Sequence, residues 1–323
     1  MSLAPVTVAL DWAPNVNHVG FYVAEARGDF AAAGVSVTLL PYADGGLKPA
    51  ARLVNGSADL AFAPSESVVS YARPRPGTDP KPELVAVAAA VASDTSAIVA
   101  LAGRGIARPR DLDGKTYLSY GARYEDEIVR SMVRADGGKG NFDVANPPFS
   151  TIPPAVFRGE AGCDATWVFM PHEGIAAARA GVSLVAWRPE DYGVPYGYTP
   201  VLLARRWATG APPPETLRAV LSAAAKGYEF AARAPSAEVA SLVSKTALGL
   251  AAESPEFLAE SIAALAPALL DPTPGSVWGT MQQGKWAGFL GFLEARGLVE
   301  EGASSADAVA RLFTNEALPA QSV

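Results

Sequence analysis

Residues 10–24 read LDWAPNVNHVGFYVA. They begin where the apolar run Val6–Leu10 ends, and they lead into a helical pattern over His18–Ala32. A predicted strand therefore delivers an acid, an indole, two amides and an imidazole to one strand–helix junction. A rigid element holds such groups in place, and the start of the helix adds free N–H donors. The junction predicts a small-molecule site.

Strand-like and helix-like segments alternate along the first two hundred or so residues. Val35–Leu40 and Asp59–Ala63 have strand patterns, and a helical pattern over Leu47–Asn55 separates them. Such alternation predicts an α/β fold with parallel or mixed sheets covered by helices on both faces. The Pro-rich segment 73–82 indicates an exposed connection, and the chain from Pro214 onward has mostly helical patterns.

Composition excludes several classes of function. The chain has 323 residues, of which half are hydrophobic and 18% charged, as in a soluble globular protein. A net charge of −7 without a basic stripe argues against a nucleic-acid partner. One cysteine and two histidines do not make a disulfide or a usual zinc site. Apolar runs stop well short of the roughly 20 residues that a membrane span needs.

Three further blocks accompany the opening one. Residues 56–67 read GSADLAFAPSES, residues 112–127 read LDGKTYLSYGARYEDE, and residues 159–174 read GEAGCDATWVFMPHEG, with YGVPY at 192–196. In this order and spacing the blocks resemble the thiamine-pyrimidine family of periplasmic binding proteins, which includes the yeast-type pyrimidine synthase of thiamine biosynthesis. The resemblance covers about residues 5–205.

The resemblance implies a two-lobed type II periplasmic-binding-protein fold, with a ligand cleft between lobes that are joined by two hinge crossings. Lobe 1 would comprise residues 4–98 and 195–323, including the helical tail, and the inserted lobe 2 would comprise residues 99–194. Each block would then lie at the carboxyl end of a strand, where open α/β sheets bind ligands.

The candidate ligand-binding residues combine aromatic faces, acids, amides and hydroxyls, which suit a flat ring with both donors and acceptors, such as an aminopyrimidine. Each also has a structural alternative, such as core packing, turn formation or helix capping. The candidates are Asp11, Trp12, Asn15, Asn17, His18, Ser65, Glu66, Ser67, Tyr120, Arg123, Tyr124, Glu125, Trp167, His172, Glu173, Tyr196 and Tyr198.

The chain also departs from the resembling synthase. That enzyme has a Lys, which anchors pyridoxal phosphate, and a His at positions where this chain has Phe62 and Glu66. It also has a cysteine cluster, whereas this chain has only Cys163. Because a Schiff base needs an amine, we predict a binder without catalytic residues, cofactor or metal.

The predicted function is a solute-binding protein that closes on an aminopyrimidine thiamine precursor and delivers it to an ABC permease. Its place would be periplasmic or on the cell surface if a leader was removed, and cytoplasmic otherwise. Two alternatives remain open. One is a cytoplasmic enzyme of thiamine or pyrimidine precursor metabolism on the same fold. The other is a binder of a different flat or anionic solute (a flavin, a sulfonate or a carboxylate), for which Arg123 is the candidate cation.

Overall fold

The computed structural model describes residues 3–43, 45–72, 83–206, 212–246, 250 and 253–320. The chain divides into two compact units. The first comprises Met1–Asp94, Tyr198–Ala287 and Gly302–Val323, and the second comprises Thr95–Gly197 and Gly288–Glu301. The lobe bounds from the sequence stay a prediction, and this grouping differs from them mainly at Gly288–Glu301. The Pro-rich segment 73–82 lies outside the described residues.

The first unit opens with alternating strands and helices. β3 and β4 are buried along their whole length, as expected of apolar strands that are covered on both faces. The elements are β1 (Ala4–Ala9), α1 (Val19–Ala26), α2 (Asp29–Ala32), β2 (Val35–Leu40), α3 (Pro49–Val54), β3 (Leu60–Ala63), α4 (Ser65–Ala72) and β4 (Leu84–Ala89).

The second unit contains shorter strands and helices. In its core, Leu118, Ile152 and Val156 pack together, and the half-buried Cys163 packs against this cluster. The elements are β5 (Ser96–Leu101), β6 (Thr116–Leu118), α5 (Glu125–Ala135), β7 (Asp143–Ala145), α6 (Ile152–Arg158), β8 (Ala165–Phe169), α7 (Ile175–Arg179) and β9 (Leu184–Trp187).

The chain then completes the first unit with one strand and a helical tail. Helix α11 begins in the first unit and ends in the second. None of the helices within the described ranges has the length and apolarity to cross a bilayer. The elements are β10 (Val201–Arg205), α8 (Pro214–Arg233), α9 (Ser236–Val243), α10 (Pro255–Leu269), α11 (Gln283–Glu294) and α12 (Ala306–Ala310).

The two sheets are built alike. The first has the order β2-β1-β3-β10-β4 and the second β7-β6-β8-β5-β9. Strand β1 pairs in parallel with β2 and β3, whereas β10 runs antiparallel to β3 and β4. Likewise, β6 is parallel to β7 and β8, and β5 is antiparallel to β8 and β9. The predicted α/β class is therefore confirmed, and of the two predicted sheet types, parallel and mixed, both sheets are mixed.

The prediction of one helix over His18–Ala32 is wrong in detail. A short 3-10 helix, Val16–His18, comes first, and α1 and α2 follow as separate helices. Gly28 separates them with a φ of 72°, in the left-handed region where glycine carries no steric penalty. The apolar spacing continues across this break, which is why the pattern alone gives a single helix.

Helix α1 packs against α8 at a very close glycine contact. A Cβ on Gly227 would lie 1.9 Å from the carbonyl oxygen of Gly20, and a Cβ on Gly20 would lie 2.0 Å from the ring of Tyr228. Both positions therefore require glycine for steric reasons. This contact fixes the position of α1, and with it the 3-10 helix that precedes α1.

Candidate functional site

The candidate residues of the first unit lie at one edge of its sheet. Residues 10–15 follow the carboxyl end of β1, and residues 64–67 follow that of the neighbouring parallel strand β3. The antiparallel strand β10 begins at the same edge, just after Tyr198. The Ser65 N–H donates to the Tyr198 carbonyl at 2.9 Å, and the Tyr198 N–H donates to the Ser65 hydroxyl at 3.2 Å. Topology thus gathers residues that are far apart in sequence.

Asp11 and His18 form a pair whose proton arrangement follows from the geometry. The backbone N–H of Asn15 donates to His18 Nδ1 at 3.4 Å, so Nδ1 is the acceptor nitrogen. His18 Nε2 then carries the proton and donates to Asp11 Oδ1 at 2.8 Å. The imidazole is fully buried and the Asp11 side chain is 9% exposed. His18 therefore orients the carboxylate.

Asn15 has a structural role at this junction. It is the N-cap of the 3-10 helix, and its Oδ1 accepts the Asn17 N–H at 2.8 Å. Its Nδ2 donates to the carbonyl of Ala13 at 3.0 Å. Both ends of the amide thus have partners within the turn, and this is the capping alternative that the sequence left open.

Asn17 differs from Asn15. It is fully buried, and neither its Oδ1 nor its Nδ2 has a hydrogen-bond partner among the described residues. The phenol oxygen of Tyr22, also buried, has none in that part of the chain either. Burial raises the pKa of Tyr22, and the nearby Asp11 carboxylate raises it further. Buried polar groups without partners are uncommon in folded proteins.

Tyr228 supports the site from the helical tail. Its hydroxyl donates to the Asn17 carbonyl at 2.7 Å, and its ring stacks on Trp278 with centroids 4.4 Å apart. Neither Tyr22 nor Tyr228 is among the site residues that the sequence predicts. Tyr22 lies four residues after His18, a spacing that places the two on one helix face; no local signal identifies Tyr228, which lies 211 positions from Asn17.

The other first-unit candidates have mixed surroundings. Trp12 is half-buried and stacks on Tyr42, with ring centroids 6.3 Å apart. Glu66 is buried in the first turn of α4, where a carboxylate is favoured by the helix dipole. Ser65 is the first residue of α4, and its hydroxyl accepts the Tyr198 N–H; Ser67 is half-buried in the same turn.

Tyr198 lies in the core of the first unit. It is 1% exposed, and its ring lies 6.1 Å from that of Trp286. The Lys285 ammonium lies 4.3 Å from the centre of the Tyr198 ring. The hydroxyl accepts the Gln282 N–H at 2.9 Å. These contacts agree with core packing, the structural alternative to ligand binding for Tyr198.

In the second unit, Glu125 organises the loop that follows β6. Its carboxylate accepts the Tyr117 hydroxyl at 2.8 Å and the N–H groups of Tyr120 and Ala122, both at 3.1 Å. Burial raises the pKa of this carboxyl, and the three hydrogen bonds oppose part of the rise. Since both oxygens are engaged, the Glu125 side chain shapes the loop.

The neighbours of Glu125 present aromatic and cationic groups. Tyr124 is 2% exposed, and the half-buried Arg123 lies with its guanidinium 5.1 Å from the Tyr124 ring centre. Tyr120 is half-buried and packs edge-on against Phe149 at 5.0 Å. Burial raises the pKa of Tyr120, and the Glu173 carboxylate raises it further.

Glu173 and His172 belong to a π-helical turn, Met170–Gly174, that follows β8. Such turns occur often at functional sites. The Phe169 N–H donates to Glu173 Oε2 at 2.9 Å. Trp167, on β8, packs against Tyr196 with ring centroids 4.9 Å apart. β6 and β8 are parallel neighbours, so the loops that carry Tyr120 and Glu173 leave the same edge of the second sheet.

A family model described as "NMT1/THI5 like" matches residues 15–238. The chain belongs to this family. The family resemblance that we inferred from the sequence blocks is thereby confirmed. The matched range includes part of the opening block, the three further blocks and the first helices of the tail.

Two kinds of relatives support the fold and the type of function. The formylaminopyrimidine-binding protein of Halalkalibacterium halodurans is 28% identical over 235 residues, which cover 72% of this chain and 68% of the relative. The periplasmic nitrate-binding protein of Synechocystis superposes with a TM-score of 0.71 at 13% identity, covering 98% of this chain and 87% of that one. The ligand-binding component of an ABC-type import system from Staphylococcus aureus gives 0.66 at 13% identity, covering 99% of each chain.

The two solved structures establish the two-lobed periplasmic-binding-protein fold. The named relatives are binding proteins, in agreement with the prediction of a binder over an enzyme. Phe62, at the position of the synthase's lysine in the resemblance, is fully buried and packs edge-on against His18 at 4.7 Å. Ligand contact at the individual candidate residues stays a prediction.

Proposed function

We propose that the protein is a solute-binding protein for an aminopyrimidine of the formylaminopyrimidine type. The observation that carries the proposal is the polar set at the carboxyl edge of the first sheet, in which the buried His18 and Asn17 accompany the partly buried Asp11. The similarity to a formylaminopyrimidine-binding protein supports this choice of ligand. The same proposal includes closure on the ligand, a role in thiamine precursor uptake, an ABC permease partner and a periplasmic or surface location.

The chemistry of an aminopyrimidine suits these residues. The ring carries an exocyclic amine that donates, ring nitrogens that accept, and a flat π-face. Asp11 Oδ2, the oxygen that His18 does not use, accepts from the amine, and the half-buried indole of Trp12 offers a stacking face. In the second unit, the Glu173 carboxylate and the paired rings of Trp167 and Tyr196 offer the same two kinds of contact.

A thermal-shift screen tests the proposal. The purified protein is heated with formylaminopyrimidine, other aminopyrimidine thiamine precursors, thiamine, riboflavin, pyridoxal phosphate and small sulfonates. A ligand that binds only the folded state raises the Tm in proportion to the logarithm of its concentration. We expect such a rise with an aminopyrimidine. A response confined to a flavin or a sulfonate would contradict the proposed ligand class, and Arg123 would then be the first residue to substitute.

A further inference from the structure

We propose that Asn17 is the residue that selects the ligand. Its carboxamide, which has no hydrogen-bond partner among the described residues, pairs with a ligand edge that presents an N–H donor beside an acceptor. This inference rests on the proposed function, and it assigns the selection of the amine-bearing edge to one residue of that site.

The contrast between the two neighbouring asparagines carries the argument. Asn15 and Asn17 are both fully buried, two positions apart, in the same turn. Each polar atom of the Asn15 amide has a partner within the turn. The two polar atoms of Asn17 have none within the described residues. An unpaired buried amide costs folding free energy. At the carboxyl edge of the sheet, where open α/β folds bind ligands, such a residue indicates a group that meets its partner when ligand binds.

The backbone of Asn17 is fixed on both sides. Its N–H donates to Asn15 Oδ1 at 2.8 Å, and its carbonyl accepts the Tyr228 hydroxyl at 2.7 Å. Tyr228 is itself held against Gly20 and stacked on Trp278. The carboxamide therefore starts from a fixed main chain, and little conformational entropy is lost when it pairs with a ligand.

A second unpaired group lies close to this site. The buried phenol oxygen of Tyr22 lacks a partner within the described ranges. The ring of Tyr22 lies edge-on to His18, with centroids 6.3 Å apart. The Asp11 carboxylate also raises the pKa of Tyr22. Asn17 precedes His18 in the same 3-10 helix, so Asn17 and Tyr22, whose polar atoms lack partners in the described ranges, are both neighbours of His18.

The chemistry of a carboxamide defines the ligand edge. An asparagine pairs at two points with an amine and the ring nitrogen beside it, as it does with adenine. In an aminopyrimidine the exocyclic amine donates to Oδ1, and the adjacent ring nitrogen accepts from Nδ2. A ligand with acceptors alone, such as a sulfonate, leaves Oδ1 buried and unpaired. From the cost of one unpaired buried acceptor we expect discrimination of about ten- to a hundredfold.

The first arm of the test measures stability without ligand. Asn17→Leu replaces the amide by an apolar group of similar size, so the Tm should rise by a few degrees while formylaminopyrimidine binding is lost. The matched variant is Asn15→Leu, which removes a paired amide and a cap and should lower the Tm. A fall in Tm for Asn17→Leu as large as that for Asn15→Leu would overturn the inference, because Asn17 would then have partners in the folded protein.

The second arm measures selectivity by calorimetric titration with formylaminopyrimidine and with its analogue in which hydrogen replaces the ring amine. The unsubstituted protein should prefer the amine, and Asn17→Ala should lower that preference by about ten- to a hundredfold, which leaves the share that Asp11 Oδ2 supplies. If Asn17→Ala keeps the full preference while the unsubstituted protein binds the aminopyrimidine, the inference is overturned and the proposed function stands. If the unsubstituted protein binds no aminopyrimidine, both are overturned.

Discussion

Gly227→Ala should destabilise the protein strongly, because helices α1 and α8 touch through their backbones at this position. The added Cβ would lie 1.9 Å from the Gly20 oxygen, 2.8 Å from the Gly20 carbonyl carbon and 3.0 Å from the Ala24 nitrogen. Normal contacts between carbon atoms are about 3.5–4.0 Å. The two helices must therefore separate by about an ångström or more, since no flexible side chain is present to yield.

The expected magnitude combines two opposing terms. Overpacking typically costs about 1–3 kcal/mol, and a backbone-to-backbone contact belongs at the upper end. Replacing glycine by alanine inside a helix returns about 1 kcal/mol through helix propensity. The net loss in unfolding free energy should thus be about 2 kcal/mol. The separation also lengthens the hydrogen bond from Tyr228 to the Asn17 carbonyl, so ligand affinity should fall as well.

Urea unfolding followed by far-UV circular dichroism measures this loss. Gly284→Ala is the matched control: it lies in the exposed first turn of α11, and a Cβ there meets nothing within 4 Å. That control should leave the unfolding free energy unchanged or raise it by about 0.5 kcal/mol. If Gly227→Ala and Gly284→Ala have the same unfolding free energy, the close packing of α1 on α8, and the support that it gives to the site, are refuted.

Three more outcomes are expected. Trp12→Ala should abolish the ligand-induced fluorescence change and weaken binding by about 1.5–3 kcal/mol, the scale of one buried aromatic side chain; unchanged affinity in a titration would place the ligand elsewhere. Glu173→Gln keeps an acceptor for the Phe169 N–H but removes the charge, so it should weaken an aminopyrimidine far more than a neutral arene, and equal losses would exclude the amine contact. Backbone N–H groups of Lys139 and Asn141 hold the pKa of Asp113 below its usual range. A carboxyl group whose pKa is lower in the folded than in the unfolded protein stabilises the folded state at pH values above its unfolded-state pKa of about 4. This stabilisation is lost as the pH falls through the folded-state pKa. Asp113→Asn should therefore cost about 1 kcal/mol at neutral pH, after allowance for solvent screening, and nothing in strong acid; a cost independent of pH in urea titrations would contradict this.

Much of the fold follows from local patterns. The alternation of apolar strands and amphipathic helices predicts an α/β fold with parallel or mixed sheets, because each pattern reflects burial of one element. The break between α1 and α2 cannot be predicted from these patterns, since Gly28 adopts a positive φ without interrupting the apolar spacing.

Less of the candidate site than of the fold can be predicted from the sequence. The residues after β1 and β3 come together because adjacent parallel strands end at the same edge, and this much is predictable. The hydrogen-bond partners of each side chain cannot be predicted in this way, since they depend on residues at distant positions in the sequence. Tyr228 reaches Asn17 from the tail, and Glu125 bonds to its own loop. The difference between Asn15, whose amide has partners, and Asn17, whose amide has none among the described residues, is likewise a property of the packed structure.

The most direct test is isothermal titration calorimetry of formylaminopyrimidine into the unsubstituted protein and into Asp11→Asn. The variant keeps an oxygen that can accept from His18 Nε2, but it replaces the second oxygen by an NH₂ group that repels a ligand amine. We predict one binding site per chain, with affinity lowered at least about tenfold in Asp11→Asn, as expected when a charged hydrogen bond is lost. No heat of binding in the unsubstituted protein, or equal affinity in both proteins, would contradict an aminopyrimidine site built on Asp11.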